Sequence, residues 1–511
     1  MAHYKYERLS AQDNGFLLWE KPNLPMHGGA TSIFKAGSLA TEDGGIDFPT
    51  IKRAIASILH KIPRYREKLM WIPGEEHAVW VDDPHFNLDY HVRHTALPRP
   101  GSDAQLKQLA ARIAERPMDR ARPLWEIWFV EGLQDGRFAT VGRTHHCMVD
   151  GAGGMALAQN LFSTTPEYSI HEAPRYVPRP HPSNAELRRD EWARLLGMPL
   201  RAVGGLRDFA RDTEDIPGEL AERARAFAQL ASYKVIPTSD TPLNGEVGPH
   251  RVIDWMKFSL ADVKAIRRAC GCSVNDVVLA TVTGAVRDFM VRRQVRPEGL
   301  EFRVATPVNV RPERDQGRPA GNHVSTWIVP LPVSQADPLE QIATIHSETE
   351  ELKKSHQATA VEMVEALHEW LPIDFQSLSV GTQNAYVTNV PGPQLPLYLL
   401  GAELQEIYIQ APLLENLGMT IGVLSYCGEV CWGFTGDYDR IPDIGDFVKL
   451  AQGSFERLAE AAGVRLEGAA PVEVSEPAKP KKKRRAAKSS NAEAAGEKTE
   501  DTVPPAPAQS G

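Results

Sequence analysis

Few cysteines, no long apolar run and no excess of positive charge narrow the field before any motif is read. The 511-residue chain carries Cys147, Cys270, Cys272, Cys427 and Cys431 alone. An odd number without a paired CxxC framework excludes a disulfide-stapled fold, argues against metal ligation and implies a reducing compartment. Nowhere do eighteen uninterrupted apolar residues occur, so hydropathy offers no spanning helix. The polar opening Met1-Ala2-His3-Tyr4-Lys5-Tyr6 is no secretory leader, and a cytoplasmic or peripherally attached protein is expected. A net charge of -9 argues against general nucleic-acid binding, although the C-terminal end has its own basic run. No GxSxG nucleophile elbow and no GxxxxGK phosphate loop occur. Gly151-Ala152-Gly153-Gly154-Met155-Ala156 fits GxGxxA, but the chain about 20 residues on is proline-rich where a dinucleotide site needs a strand ending in an acid.

What is present is a 42% apolar composition, consistent with globular folding, and enough length for two domains. The stretch that stands out is His145-His146-Cys147-Met148-Val149-Asp150-Gly151. Upstream, residues 124–130 and 138–144 are rich in aromatic and β-branched side chains and flank the turn-like Gly132-Leu133-Gln134-Asp135-Gly136. This predicts an antiparallel hairpin whose second strand ends at the histidines. Downstream, residues 155–162 have helical composition.

Successive strand side chains point to opposite faces, so His145 and His146 should not share a cavity. One is the reagent and the other its support. We assign His146 as general base, a role that contributes roughly 100- to 10,000-fold, and His145 as support. Asp150 takes a structural part, folding beneath the ring to pair with an arginine such as Arg143, while Gly151 lets the backbone pass close by. Cys147 points away from His146, which disfavours a thiol acyl-enzyme.

Along the chain, residues 48–62 and 104–115 read as helices with apolar faces. His91 reads as a structural residue. The proline-rich 173–183 and two charged, helix-like stretches at 184–209 and 217–233 suggest an interdomain crossover. Ser273 is a plausible N-cap, with Asp276 completing a capping-box-like pattern for a helix to about Arg292. A strand at 302–310, a long helical stretch at 338–371, strands near 417–425 and 429–434, and a final helix to about 461 complete the ordered part. From Pro471 the composition is that of a disordered tail carrying Lys479-Pro480-Lys481-Lys482-Lys483-Arg484-Arg485. Such a run is usually solvated, and a second reading is adhesion to an anionic membrane or lipid-droplet surface.

The histidine string matches the HHxxxDG motif of the CoA-dependent acyltransferase superfamily. Around it, Met26-His27-Gly28-Gly29, Pro117-Met118-Asp119-Arg120-Ala121-Arg122-Pro123-Leu124-Trp125-Glu126, Val274-Asn275-Asp276-Val277-Val278-Leu279-Ala280 and Thr388-Asn389-Val390-Pro391-Gly392-Pro393 resemble strings of the bacterial wax ester synthase/diacylglycerol acyltransferase family. The resemblance covers residues 5–465. It implies an α/β (α+β) fold of two chloramphenicol acetyltransferase-like domains, each a mixed, largely antiparallel sheet with flanking helices. Boundaries are expected at 1–182, 183–245 for the crossover, 246–465, and 466–511 for the tail. It further implies transfer of a long-chain acyl group from acyl-CoA, used as substrate with no cofactor and no metal, to a diacylglycerol or long-chain alcohol. The channel between the domains would be lined by Asn275, Asp276, Asn389 and Trp125, the last read mainly as core. Oxyanion donors are sought among His145, Asn275 and backbone N–H groups of 151–154. The alternatives are a catalytically idle lipid-binding or lipid-droplet protein, and a condensation-type enzyme using a carrier-protein thioester.

Overall fold

The computed structural model describes residues 6–148, 153–197, 237–309, 324–354 and 382–466. The expected hairpin forms as β6 (Trp125–Glu131) and β7 (Arg137–His145), around a turn in which Asp135 takes φ 61°. These strands sit in a seven-stranded sheet ordered β5 (Val92–Ala96), β6, β7, β2 (His27–Lys35), β14 (Ala402–Gln410), β13 (Tyr398–Leu399), β8 (Phe162–Ser163). All its pairings are antiparallel except β5 with β6. A six-stranded sheet runs β11 (Val324–Leu331), β10 (Phe302–Asn309), β12 (Ala385–Pro391), β15 (Met419–Tyr426), β16 (Glu429–Asp437), β9 (Arg251–Ser259), with β12 parallel to both neighbours. A small third sheet pairs β4 (Ala78–Asp82) with β1 (Glu7–Arg8) and β3 (Glu67–Trp71). Residues 184–197 form a helix that seats Leu187 against Ile72, Val79 and Val81 of this layer.

The helix at Asp103–Ala114 starts at a Ser102–Gln105 capping box, as its composition allows. It holds the sheets together. Its Leu106, Ala110 and Ile113 share one buried cluster with Ile33 and Val141 of the first sheet and Ile253, Trp255 and Cys431 of the second. The second core is built on the helix Val274–Arg292, which is buried on nearly all sides. With the preceding Leu260–Cys270 it makes an apolar pair bent by 95°, but no single helix among the described residues is long and apolar enough to cross a membrane.

One feature departs from the expected boundary at 245. Strands β13 and β14 belong by sequence to the second half yet lie in the first sheet. The proline-glycine turn after β12 carries the chain away from the second sheet, and β14 returns across its face. A Cβ at Gly433 would stand 2.0 Å from the Ile409 carbonyl oxygen, and one at Gly422 would stand 2.9 Å from the Ile409 side chain. Only glycine permits this approach. The long helix expected at 338–371 is present over Pro338–Lys354; residues 355–381, the stretch 217–233 and the basic tail lie outside the described residues.

Candidate active site

Strand β7 ends at His145, and the backbone then tightens into a 3-10 turn, His146–Met148. The His145 N–H donates to the Leu124 carbonyl (2.9 Å) and the His146 N–H to the Met26 carbonyl (2.9 Å). Both peptides are therefore pinned, and the two rings leave the strand end in different environments.

His145 is sealed, with 0% of its surface exposed. Its Nδ1 accepts from the Cys147 N–H at 3.2 Å, which leaves the ring proton on Nε2. That nitrogen faces Glu20 Oε1 at 3.5 Å, the long end of an ion-pair contact, and no nearer acceptor meets it. Glu20 is itself held by Arg120 Nε (3.0 Å) and by the Met26 N–H (3.1 Å). Burial alone would raise the Glu20 carboxyl, but His145, Arg120 and the Met26 amide outweigh it and hold it at about 2. A ring fixed in position and tautomer and closed to solvent fits the support role. It is not placed to donate to an oxyanion, which removes His145 from that set of candidates.

His146 is partly accessible. Its ring stacks on Phe16, with centroids 4.9 Å apart and planes 30° apart. Its Nε2 looks onto Gly28, where an added Cβ would lie 3.3 Å from the nitrogen and 3.4 Å from the Gln410 carbonyl oxygen. Burial pushes the His146 pKa down to about 4, and the neighbouring His145 adds to the shift. At neutral pH the imidazole is therefore uncharged and able to accept a proton. Gly28→Ala would press a methyl group against this nitrogen. We expect kcat to fall by about 10- to 100-fold, the scale of a small misplacement at a reacting atom, with little change in Tm; steady-state kinetics beside a thermal melt checks both.

The remaining expected site residues separate. Asp150 and Gly151 lie outside the described residues, and the arginine expected for Asp150 has other partners. Arg143 NH2 meets Glu126 at 3.0 Å, and NH1 donates to the carbonyls of Ile113 (2.9 Å) and Arg116. Asn275 and Asn389 are brought together, the Asn389 amide donating to Asn275 Oδ1 at 3.5 Å, and both are half-buried.

Two channel assignments need correction. Asp276 is fully buried: it caps its helix by accepting from the Ser273 N–H (2.8 Å), and it meets His346 Nδ1 (2.9 Å) and the Thr349 hydroxyl (2.8 Å). No face is left for a substrate. Trp125 is 1% exposed, its indole donating to the Tyr65 carbonyl (2.8 Å) and stacking on His91 at 4.7 Å. It is core, and His91, donating to the Trp125 carbonyl at 2.8 Å, is the structural residue expected. Cys147 lies in the 3-10 turn rather than in the strand, and burial raises its thiol pKa.

Phe16, Glu20, Gly28 and Arg120 are the residues that sequence reasoning did not assign. Gly28 and Arg120 lie inside strings that resemble the family, and a charged residue inside such a string was the available signal for Arg120. Glu20 offered none.

Two buried histidines tie the site to acid stability. Burial, helped by the charge of Arg143, holds His27 at about 3, its Nε2–H donating to the Ala114 carbonyl at 2.7 Å, and burial holds His91 at about 4. Both folded values lie below the unfolded value of about 6.5, so the unfolded chain binds more protons as pH falls. Stability should therefore drop between about pH 6.5 and 4, by about 1.4 kcal/mol per pH unit for each ring. Urea midpoints at both ends of that window test this.

A two-sheet fold with a histidine pair at the end of an inner strand defines the chloramphenicol acetyltransferase-like class of acyltransferases. Among solved structures, the wax ester synthase/diacylglycerol acyltransferase from Marinobacter aquaeolei VT8 aligns with a TM-score of 0.62 at 24% identity, over 89% of this chain and 100% of that one. The first condensation domain of the calcium-dependent antibiotic synthetase aligns with a TM-score of 0.58 at 14% identity, over 91% and 98%. Sequence narrows the class. The model of the wax ester synthase/diacylglycerol acyltransferase catalytic domain matches residues 9–278, and that of the family's C-terminal domain matches residues 320–459. A Mycobacterium tuberculosis H37Rv protein named "probable diacylglycerol O-acyltransferase" is 30% identical over 432 residues, covering 83% of this chain and 90% of its own length. The chain belongs to the wax ester synthase/diacylglycerol acyltransferase family and is an O-acyltransferase.

Proposed function

We propose that the protein transfers a long-chain acyl group from acyl-CoA to the hydroxyl of a diacylglycerol or a long-chain alcohol, with His146 as general base. The observation that carries this is the contrast within the histidine pair: one imidazole partly accessible, with Nε2 beside Gly28 and its pKa lowered by burial, the other sealed against Glu20. His146 Nε2 takes the hydroxyl proton as the oxygen attacks the thioester carbonyl carbon. The tetrahedral intermediate collapses, the carbon-sulfur bond breaks, and the imidazolium returns its proton to the departing CoA thiolate. No acyl-enzyme forms and no cofactor is required. Asn275 and the backbone N–H groups of 151–154 are the remaining candidates to hold the oxyanion. Asp150 would fix the loop, and Gly151 would let the backbone pass. Peripheral association with a membrane or lipid droplet would bring the protein to its acceptor.

The test is release of free CoA thiol from palmitoyl-CoA with dioleoylglycerol or hexadecanol as acceptor. Acceptor-dependent release supports the reading and ranks the two acceptors. Folded protein that binds lipid but releases no thiol would instead support an idle lipid-binding protein. The likeness to a condensation domain favours a second reading, which a strict requirement for a carrier-protein thioester would establish.

A further inference from the structure

The helix at 184–197 presents two unlike faces. It begins at Ser183, whose hydroxyl accepts from the Glu186 N–H (3.3 Å) while Glu186 accepts from the Ser183 N–H (2.8 Å), a capping box. Its inner face is fixed to the small sheet. Leu187 is buried there, Glu191 meets Arg8 at 3.2 Å, and Asp190 accepts from the Tyr6 hydroxyl at 2.7 Å. Those contacts decide what the opposite face carries, because positions three and four apart share a side.

That face displays Trp192, Leu195 and Leu196, which are 65%, 40% and 74% exposed. Three of the eleven exposed large apolar side chains among the described residues thus fall within five consecutive positions. Isolated exposed apolar residues are ordinary; a cluster on one helix face marks a contact surface. Arg188 and Arg189 flank it on the same side. Among the described residues, Arg189 pairs only with its neighbour Asp190 (2.9 Å) and Arg188 makes no ion pair. Arg194 turns inward onto the buried Glu191, whereas Arg188 and Arg189 stand outward beside a tryptophan and two leucines, with the half-exposed Asp190 at their edge.

We propose that this face docks the protein on an anionic phospholipid surface, with Trp192, Leu195 and Leu196 entering the interfacial region and Arg188 and Arg189 meeting headgroup phosphates. Aromatic and branched apolar side chains beside arginines are the composition of helices that lie in a membrane interface. The inference draws on the lipid acceptor proposed above, and its test is a binding measurement that needs no turnover.

The experiment is co-sedimentation of the full chain with phosphatidylcholine vesicles doped with phosphatidylglycerol, at low salt and at about 0.5 M salt, where exposed charges are screened. Wild type is compared with the triple variant Trp192→Gln, Leu195→Gln, Leu196→Gln. Wild type should remain bound at high salt, and the variant should bind about a hundredfold more weakly with an unchanged Tm. CoA release with a water-soluble short-chain alcohol should be the same for both. Equal partitioning of the two proteins overturns the proposal. So does complete release of wild type by salt, which would leave binding to charges alone, including the basic run at 479–485. A dimer that the substitutions dissociate would make the face an interface between copies of this chain and would also overturn it. Vesicle binding without turnover on any acceptor would instead remove the proposed function and leave the docking face standing.

Discussion

His146→Ala is expected to lower kcat for acyl transfer by about 100- to 10,000-fold, the range a positioned general base supplies, while KM for acyl-CoA and the melting temperature change little. The ring is partly accessible, stacks on Phe16 and makes no side-chain hydrogen bond that its loss would strand among the described residues. His145→Ala should behave in the opposite way. It empties a sealed site, leaves the Cys147 N–H without its acceptor and Glu20 without its ring partner, and so should cost stability first and turnover second. Thiol release and thermal melts on the two variants separate the roles, and equal losses of turnover at matched stability would reverse the assignment. Because the His146 pKa lies at about 4, the acid limb of kcat/KM should fall below the ordinary histidine range rather than near 6.5.

Asp276→Ala should be the most destabilising single change considered. It removes the carboxylate half of the capping box, the Ser273 hydroxyl keeping its bond from the backbone N–H of residue 276, and leaves the Ser273 N–H, His346 and the Thr349 hydroxyl facing a void at a fully buried position. Loss of one partner from a buried charged network costs about 3–5 kcal/mol, read as a fall in the urea midpoint. Asp276→Asn, which keeps the shape but not the charge, should fall between. A stable but inactive Asp276→Ala protein would restore this carboxylate to the substrate channel.

The two fates of Asp276 explain how far the chain can be read without its structure. The serine-to-aspartate spacing that announces a capping box is local, so the helix and its cap were legible. His346 and Thr349 arrive from another helix, and nothing near Asp276 announces them. The histidine pair follows the same logic. Strand alternation predicts different surroundings for His145 and His146, and the 3-10 turn that begins at His146 is what separates them, whereas the partnership of His145 with Glu20 joins residues that only the fold brings together. Trp125 reads as core from the burial habit of tryptophan, and its indole bond to Tyr65 agrees. Strand β14 was the least legible element, because the composition of a strand does not name its neighbour in a sheet.

That strand also dictates an order of events during synthesis. Until residues 402–410 leave the ribosome, β2 has β7 on one side and an unpaired edge on the other. A long bare edge recruits whatever strand it meets. The histidine pair is translated early, yet the sheet that carries it gains β14 only once residue 410 of 511 has been made. A nascent or truncated first half therefore carries an unpaired β2 edge, which only a strand made about 250 residues after the histidines can cover.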